Sequence, residues 1–528
     1  MKICLINPSS NFNYDYEQMK IRSRYSSGSY NYVHLGLAYI ASNLEKHGYE
    51  TDILECEKFG ITFDDIRNRI LKNEYIAVGI STIYQNLKNV LTIAIMVKKI
   101  NPNILVYLGG YGATFSYEHI LRQARYIDFC MLGEGEITTL ELVQTLEKGE
   151  SWKGIKGIAY FDSGQLIVTD KRELIMDLDD LPFPKRIYSH EAGVAQIVAS
   201  RGCYGKCTYC GIQEFLSYNS GACLRRRSPE NVFEEMQELI RDKHISYFVF
   251  CDPNFVLNGV SGHKWVERFC GLLRQAHFDI HFDVDMRANE VVGNEDLLLM
   301  LKKVGLESVL IGIENFSQSE LDFMNKRLSS KTNIEAIQVL QKLGFKYVPG
   351  LLLFNPVTTL DDILFNLYTI KSLDFSINNI AVKPITEYSA IISSPGLTIH
   401  KLIAEKGYYK NNERGYDFIN KDVDLCYHMV QWLNQQMGPE ILKYRSLADA
   451  AEELELHHQK KVLKEIYYSV YEKNLDIFIY LVERIKDHTF TTLNDGIEYM
   501  NTYIEWLSDI RFKLNSIYNE FEVLWSTM

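Results

Sequence analysis

Three cysteines lie close together near the middle of the chain, Cys203, Cys207 and Cys210, in the string SRGCYGKCTYC. A four-iron cluster normally takes four cysteine ligands. Because this C-x3-C-x2-C loop has no obvious local fourth ligand, the spacing predicts a [4Fe-4S] cluster with one iron left open for a small molecule. The alternatives are a zinc knuckle and a chance cluster of buried thiols. Structural zinc usually takes four ligands in two pairs, and no second C-x2-C or H-x3-H string follows.

The loop closely resembles the cluster-binding motif of the radical S-adenosylmethionine (SAM) superfamily, including the aromatic Tyr209 before the third cysteine. The resemblance implies that the open iron chelates the amino and carboxylate groups of SAM. It also implies that reduction splits SAM to a 5'-deoxyadenosyl radical, so that an external electron donor such as a flavodoxin or ferredoxin is expected.

Length and charge fit a large enzyme. The 528 residues exceed what one core accommodates, so roughly two to four domains are expected. Hydrophobic residues make up 46% of the chain, enough for substantial cores, and the net charge of -12 gives no basic field for nucleic acid. No nucleic-acid partner is therefore predicted.

Seven further cysteines occur singly, mostly in apolar runs, as is typical of reduced buried thiols in a cytoplasmic protein. They are Cys4, Cys56, Cys130, Cys223, Cys251, Cys270 and Cys426. The run from Met1 to Pro8 is too short for a signal peptide, and no stretch of about 18 uncharged apolar residues occurs. We expect neither export nor a membrane span.

Residues 1–150 predict an alternating α/β domain. Short apolar runs are separated by segments with helical periodicity, such as Leu35 to Lys46 and Leu87 to Lys99. The expected strands are Ile3 to Ile6, Thr51 to Leu54, Ile76 to Ile80, Ile104 to Leu108 and Tyr126 to Met131. This order favours a five-stranded, doubly wound (flavodoxin-like) parallel sheet, in which ligands bind beyond the carboxyl ends of the strands.

Glycines and polar residues follow four of these strands. They are Asn7, Ser81, Thr82, Tyr84, Gln85, Gly109, Gly110, Gly112, Gly133, Glu134 and Gly135. Glycines at such positions let a flat, bulky ligand approach the backbone. Together with the helix HLGLAYIA that begins at His34, these loops resemble the cobalamin-binding domain found ahead of many radical SAM domains, over residues 1–170. The resemblance implies that the residues from Ser81 to Gly135 in this set contact cobalamin.

One motif of the cobalamin-binding domains is missing. Domains that place a protein histidine on cobalt use D-x-H-x-x-G, and this string does not occur in residues 1–170. The loop after the third strand should pass under the corrin, which makes Thr82, Tyr84 and Gln85 the nearest residues to the lower face of cobalt. The alternative is a vestigial flavodoxin-like domain that only packs against its neighbours.

A connector is predicted at 151–190, with a hairpin around Ser163 and a turn-rich exit at Pro182 and Pro184.

From 191 to 395, strand and helix alternate six times, which predicts a partial (β/α)6 barrel with its chemistry at the carboxyl ends of the strands. The cluster loop follows the first of these strands. The strands are expected at Ala195 to Ser200, Tyr247 to Cys251, His281 to Met286, Ser308 to Gly312, Val348 to Phe354 and Ile380 to Lys383.

Polar residues follow the later strands of this predicted barrel, and such groups can satisfy the amino, carboxylate and ribose groups of SAM. They are Asp252, Asn254, Arg287, Glu314, Asn315 and Asn355. The string GIEN resembles the fourth-strand motif that contacts SAM, FCDPNF is similar to a second-strand motif, and Arg287 lies where relatives often carry a carboxylate-binding arginine. The resemblance implies SAM contacts at Asp252, Arg287, Glu314 and Asn315. A polar cap on a strand end is the alternative for each.

Three arginines, Arg225 to Arg227, precede Ser228 and Pro229. Ser228 is predicted as an N-cap and Pro229 as the first helical residue, so we interpret the arginines as part of a structural turn instead of an anion site.

Residues 396–528 carry long helical patterns and resemble no family. Their recurring tyrosines are expected mostly in cores and helix contacts, because tyrosine buries apolar area while keeping a polar tip. From position alone, this segment is predicted to close over the barrel mouth and select the substrate, together with the long loop at 11–32.

These features predict a cobalamin-dependent radical SAM enzyme that binds a [4Fe-4S] cluster, SAM and cobalamin, with no residue identified as a general base. The resemblance implies C-methylation at an unactivated carbon of a small molecule or peptide, as in natural-product or peptide modification. One SAM would donate the methyl group through cobalamin and another would give the radical. A non-methylating rearrangement, oxidation or ring contraction is the alternative enzyme, and a binding protein that lost catalysis is the alternative of another class.

Overall fold

The computed structural model describes residues 1–9, 33–187, 193–375, 390–410, 414–453 and 456–527. The described chain falls into two units. The first comprises 1–9, 33–187, 193–282 and 394–400, and the second comprises 283–375, 390–393, 401–410, 414–453 and 456–527. The strand predicted at 380–383 and the loop at 11–32 lie outside the described residues.

The sheet of the first unit contains all five predicted parallel strands. They are β1 (Lys2–Asn7), β2 (Glu50–Glu55), β3 (Tyr75–Ser81), β4 (Leu105–Gly109) and β5 (Phe129–Met131). The order is β2-β1-β3-β4-β5, and every one of these pairings is parallel. The doubly wound prediction is therefore confirmed, and its strand ends share one edge, where ligands bind in such folds.

A hairpin extends this sheet beyond the predicted five strands. Strands β6 (Ile158–Asp162) and β7 (Gln165–Val168) add to β5 in antiparallel pairing. Ser163 and Gly164 have φ of 50° and 85°, the left-handed conformation that two-residue hairpin turns require. The hairpin predicted in the connector is thus present, and it belongs to the sheet.

Helices cover both faces of the sheet, which is why its strands are continuous apolar runs instead of alternating ones. Ile3 and Leu5 pack in one core, whereas Cys4 and Ile6 pack in the other, and all four are fully buried. The helices of this region are Leu35–Lys46, Phe63–Lys72, Leu87–Ile100, Tyr111–Gln123 and Glu136–Glu147, with a short one at Cys56–Phe59.

The remainder of the first unit carries the cluster loop. Strands β8 (Val194–Ile197) and β11 (Tyr247–Phe250) pair in parallel, and β9 (Ser200–Arg201) pairs antiparallel with β10 (Arg225–Arg226). Ser228 caps the following helix and Pro229 begins it, as predicted. The helices are Ile212–Leu216, Pro229–Lys243 and Val260–Ala276.

The chain enters the second unit within β12 (His281–Arg287). Strands β13 (Leu306–Glu314) and β14 (Lys346–Leu351) pair in parallel, so five of the six predicted barrel strands lie where expected and the sixth is outside the described residues. The helices here are Ala288–Val291, Glu295–Lys302, Gln318–Phe323, Ser330–Lys342 and Leu360–Leu373.

The C-terminal segment is helical, as its sequence predicts. Its helices are Thr398–Glu405, Lys421–Glu453, His457–Lys486 and Leu493–Thr527. Helix His457–Lys486 packs along Leu360–Leu373, where Lys371 Nζ lies 2.8 Å from Asp476 Oδ1. The role of the C-terminal segment in substrate selection stays a prediction. The domain boundaries at 150, 190 and 395 stay predictions as well. No helix in the described ranges is both long and apolar enough to cross a bilayer.

Candidate active site

The three predicted cluster cysteines share one environment. Cys207 is buried, and Cys203 and Cys210 are half-buried. Burial raises the pKa of the Cys210 thiol, and the neighbouring Cys207 and Cys203 raise it further. Bound iron favours the thiolate, so a cluster would relieve the cost of ionising these three groups together.

The loop is folded by its own backbone. Gly205 N–H donates to Cys203 Sγ over 3.3 Å, and Cys210 N–H donates to the Cys207 carbonyl over 3.2 Å. Among the described residues, no three His, Cys, Asp or Glu side chains gather closely enough to hold a single metal ion. A cubane cluster does not need such a group, because each thiolate binds its own iron.

Asp252 holds the strand that leads into this loop. Its Oδ2 accepts a hydrogen bond from Ala199 N–H at 3.0 Å, and its Oδ1 accepts one from the Ser200 hydroxyl. Burial raises the pKa of Asp252, and the two hydrogen bonds oppose that rise. The structure therefore gives the carboxylate a positioning role in the cluster strand, and its contact with SAM stays a prediction.

The two loops after β3 and β4 pack directly on each other. Thr82 N–H donates to the Gly109 carbonyl and Gly112 N–H donates to the Thr82 carbonyl, each over 2.8 Å. A Cβ on Gly112 would lie 2.9 Å from backbone carbons of Thr82 and Ile83, and one on Gly110 would lie 3.1 Å from the Thr82 carbonyl oxygen. Gly109 differs, because a Cβ there would meet no atom within 4 Å. Of the three glycines in this loop that are predicted to contact cobalamin, only Gly109 has open space where a side chain would be.

His34 contacts Ser81, one of the predicted cobalamin residues, and the sequence reasoning did not identify this contact. Its Nδ1 accepts from Leu37 N–H, which places the proton of the neutral ring on Nε2, 2.8 Å from Ser81 Oγ. Burial lowers the pKa of His34, although Glu55 nearby opposes this, so the ring is neutral. Ser81 accepts that hydrogen bond, which leaves its own hydroxyl proton for another acceptor. The only sequence signal was the position of His34 at the start of the string HLGLAYIA.

The loop from Gly133 to Glu136 faces protein atoms. Gly133 N–H donates to Thr114 Oγ1 over 3.1 Å, and a Cβ on Gly133 would lie 1.8 Å from Asn219 Oδ1. A Cβ on Gly135 would lie 2.9 Å from Ile40 Cδ1. These glycines thus permit close packing within the protein, and their predicted contact with cobalamin stays a prediction.

A cavity of about 330 Å³ lies between the predicted cobalamin loops and the cluster loop. On one side are Tyr84 and Gln85, and on the other is Gly211, the residue after Cys210. Its lining comprises Ile83, Tyr84, Gln85, Tyr111, Gly112, Phe115, Ser116, Gly211, Ser394, Pro395 and Leu397. The region therefore offers one space that borders the two predicted cofactor sites of the first unit.

Aromatic side chains fix the walls of this cavity. The rings of Tyr111 and Phe215 lie 4.5 Å apart, and Phe115 contacts Phe215 edge-on at 6.5 Å. These contacts join the helix after the Gly109 loop to the helix after the cysteines. Burial raises the pKa of Tyr111 to about 12, with Cys210 adding to it, so this phenol stays protonated at neutral pH.

In the second unit, Arg287 and Glu314 both contact Lys326. Lys326 Nζ lies 2.7 Å from Glu314 Oε1, and Arg287 Nη2 donates to the Lys326 carbonyl over 2.7 Å. Glu314 has a φ of 62°, a strained left-handed conformation that costs about 1 kcal/mol and that surrounding contacts must enforce. The structure brings these two predicted SAM residues together through a lysine that the sequence reasoning missed.

Asn315 is bonded within the protein at both ends of its amide. Its Oδ1 accepts from Ser317 N–H at 2.9 Å and from Asn366 Nδ2 at 2.7 Å, and its Nδ2 donates to the Leu352 carbonyl over 3.1 Å. Asn355 is likewise bonded to Glu320, whose pKa burial raises to about 8. Both asparagines thus hold strand ends in place, and a SAM contact by Asn315 stays a prediction.

Comparison with known proteins identifies the family. Residues 26–143 match the family model for the B12 binding domain, and residues 197–364 match that of the radical SAM superfamily. The chain is 30% identical to an uncharacterized methyltransferase of Pyrococcus horikoshii over 347 residues, 64% of this chain and 73% of that protein. The chain belongs to the B12-binding radical SAM family.

Other members of this family have different names and chemistry. The anaerobic magnesium-protoporphyrin IX monomethyl ester cyclase of Rubrivivax gelatinosus is 29% identical over 322 residues, 58% of this chain. The chain spans only 56% of the length of that cyclase.

Two solved structures share the fold. The cobalamin-dependent radical SAM enzyme OxsB, with aqua-cobalamin and SAM bound, superposes with a TM-score of 0.79 at 17% identity, covering 98% of this chain and 81% of its own. The radical SAM methyltransferase TsrM of Kitasatospora setae superposes with a TM-score of 0.58 at 14% identity, covering 71% of each chain. At these identities the likeness shows the fold alone.

The predicted family, fold class and cofactor set are thereby confirmed. This B12-binding radical SAM protein is an enzyme of a family that uses a [4Fe-4S] cluster, SAM and cobalamin. Cys203, Cys207 and Cys210 fit the cluster, and the open space at Gly109 and the exposed Tyr84, which both follow strands of the parallel sheet, fit a bulky ligand at the sheet edge.

Proposed function

We propose that this enzyme methylates an unactivated carbon of a small molecule or a peptide side chain. The observation that supports it is the cavity that Tyr84 and Gln85 border on the cobalamin side and Gly211 borders on the cluster side. A carbon must reach both cofactors to lose hydrogen and gain a methyl group, and positioning of this kind supplies much of the rate in two-reactant chemistry.

The lining residues favour radical chemistry over acid–base chemistry. When bound, the cofactors supply the radical and the methyl group. All eleven lining residues lie in the described chain, and among them no Asp, Glu, His, Lys or Arg occurs. Tyr111 stays protonated because burial raises its pKa to about 12. The protein's part is to orient the substrate, and the Tyr111 and Phe115 rings, which pack on each other, form one aromatic wall for it.

The size of the cavity limits the substrate class. At about 330 Å³ it lies at the small end of ligand pockets, which span roughly 300–1,000 Å³. It therefore suits a compact apolar group presented by a metabolite or a side chain. An external flavodoxin or ferredoxin would supply the electron.

A second candidate is a non-methylating radical reaction. It is favoured by relatives named for other outcomes, the cyclase of Rubrivivax gelatinosus and the 4'-phospho-dehydrooxetanocin synthase of Priestia megaterium, the latter 23% identical over 410 residues. The geometry of the cavity supports either reaction, because both need a substrate carbon beside the two cofactors.

Product analysis separates the two. Reconstituted protein is incubated anaerobically with reductant and SAM carrying a labelled methyl group, together with extracts as the source of substrate. Methylation predicts S-adenosylhomocysteine, deoxyadenosine and label in a new product. Deoxyadenosine without S-adenosylhomocysteine would select the second candidate. Cys207→Ala is the control and should abolish deoxyadenosine, because the cluster of about four irons needs all three thiolates.

A further inference from the structure

Two carboxylates, Glu134 and Glu136, join the predicted cobalamin-binding region to the cluster segment, and Glu134 makes the larger number of these contacts. Arg225 approaches Glu134 with both terminal nitrogens, Nη2 at 2.8 Å from Oε1 and Nη1 at 2.9 Å from Oε2. Arg201 Nη1 lies 3.1 Å from the same Oε1. Paired bonds of this kind fix orientation as well as distance, because the guanidinium plane matches the carboxylate plane.

The two arginines lie at opposite ends of the segment that carries the cysteines. Arg201 is two residues before Cys203, and Arg225 follows Cys223 by two. They face each other as a registered pair in the antiparallel β9–β10 ribbon. The ribbon therefore closes the segment 202–224, which contains all three cluster cysteines, and Glu134 binds both of its strands.

The carboxylate itself is held firmly by its neighbours. Glu134 N–H donates to Asn219 Oδ1 over 3.2 Å, an approach that the missing Cβ of Gly133 permits. Glu136 adds a second carboxylate, 2.6 Å from Arg201 Nη2, so two negative charges balance two positive ones. Burial raises the pKa of Glu134, but Arg225 and Arg201 outweigh it and lower the pKa below the ordinary value.

Buried ion pairs of this kind are weak evidence for stability, because desolvation offsets most of the attraction, but they can specify one arrangement. We propose that Glu134 is a positioning residue that sets the location of the iron–sulfur cluster relative to the cobalamin-binding domain. The proposal rests on the proposed function, since a fixed separation matters only if both cofactors act on one substrate. On this proposal the carboxylate of Glu134 binds Arg225 and Arg201, and not cobalamin.

The chain offers a matched control. Glu235 is also a buried carboxylate between two arginines, with Arg186 Nη1 at 2.6 Å and Arg227 as the other partner. None of these three residues lies in the Gly133–Glu136 loop or the cluster segment. Glu134→Gln and Glu235→Gln therefore each replace a carboxylate between two arginines by a neutral amide. Glu134→Asp keeps the negative charge at position 134.

The experiment uses the full chain loaded with cluster and cobalamin. Thermal stability, iron and cobalamin content are measured first. Electron paramagnetic resonance then reports the magnetic interaction between the reduced cluster and cob(II)alamin, which depends on their separation. In parallel, the ratio of deoxyadenosine to S-adenosylhomocysteine formed from SAM reports whether SAM reaches both cofactors.

For Glu134→Gln we expect normal cofactor content but a wider spread in the magnetic interaction, because the separation of the two centres is less fixed. The ratio of deoxyadenosine to S-adenosylhomocysteine should rise by up to about a hundredfold, since a misplacement of about 1 Å can cost about that much in rate. Glu235→Gln leaves the Gly133–Glu136 loop bonded to the cluster segment, so it should change both readouts less than Glu134→Gln does. Glu134→Asp should restore part of the effect. Identical spectra and ratios for the two glutamine variants would overturn the proposal. If Glu134→Gln does not fold, Arg225→Lys, which keeps the charge but loses the paired bonds, provides the same comparison. Wild-type protein that binds no cobalamin would instead refute the proposed function.

Discussion

The loops at Gly109–Gly112 and Gly133–Glu136 look alike in sequence but differ in what lies against them. Both are rich in glycine, and both follow a strand of the same sheet. At Gly109 the space for a side chain is open, whereas at Gly133 it is filled by Asn219. A glycine thus indicates that something approaches the backbone closely, without telling whether it is a ligand or the protein itself.

Substitution of the two glycines should separate these cases most strongly. Gly133→Ala places a Cβ 1.8 Å from Asn219 Oδ1 at a φ of 78°, whereas Gly109→Ala meets nothing within 4 Å. Left-handed strain and overpacking together should reduce the free energy of unfolding by about 3 kcal/mol for Gly133→Ala. Urea unfolding measures both variants. Equal stabilities would mean that Asn219 does not occupy that position.

Acid should weaken the ion pairs of the Gly133–Glu136 loop, whereas the Gly109–Gly112 loop has no carboxylate to protonate. The folded-state pKa of Glu134 is below its ordinary value, so its stabilisation is complete above about pH 4.5 and is lost as the pH falls through the folded value. The wild type should therefore lose more stability than Glu134→Gln on acidification, because only the wild type has a carboxylate that must be protonated against two arginines. Melting temperatures from neutral pH to about pH 3 measure this difference. Parallel curves would contradict it.

A larger side chain at the open glycine should affect binding but not stability. Gly109→Val fills the space that we assign to cobalamin, so affinity should fall about fivefold, near 1 kcal/mol. Gly154→Val is the control, because a Cβ there also meets nothing within 4 Å and the residue lies in the short turn before β6, not after a strand of the parallel sheet. Equilibrium titration with cobalamin measures both. Unchanged affinity for Gly109→Val would move the ligand elsewhere.

Local patterns were sufficient to predict most of the fold. Fully buried runs such as Ile3 to Ile6 identify a strand covered on both faces, and Ser228 with Pro229 marks a helix start. The hairpin at Ser163 was also visible, but its addition to the sheet was not, because that depends on pairing with β5.

The candidate site was less predictable where it depends on contacts between distant residues. Cys203, Cys207 and Cys210 lie within one loop, so their spacing alone is enough to predict them as cluster ligands, and that assignment stays a prediction. Asp252 and Asn315 are polar residues at strand ends, as a SAM contact would be, yet both are bonded within the protein. The ionic partners of Arg201, Arg225 and Lys326 could not be read from local strings, because each partner is at least 12 positions away in the sequence.

The central claim is that cobalamin and the cluster border one cavity. It is tested most directly by electron paramagnetic resonance of the wild-type protein loaded with both, with the cluster reduced and cobalamin as cob(II)alamin. We predict a spectrum that shows magnetic interaction between the two centres and differs from the sum of the spectra recorded with each cofactor alone. A spectrum equal to that sum would place the two centres too far apart to act on one carbon and would contradict the claim.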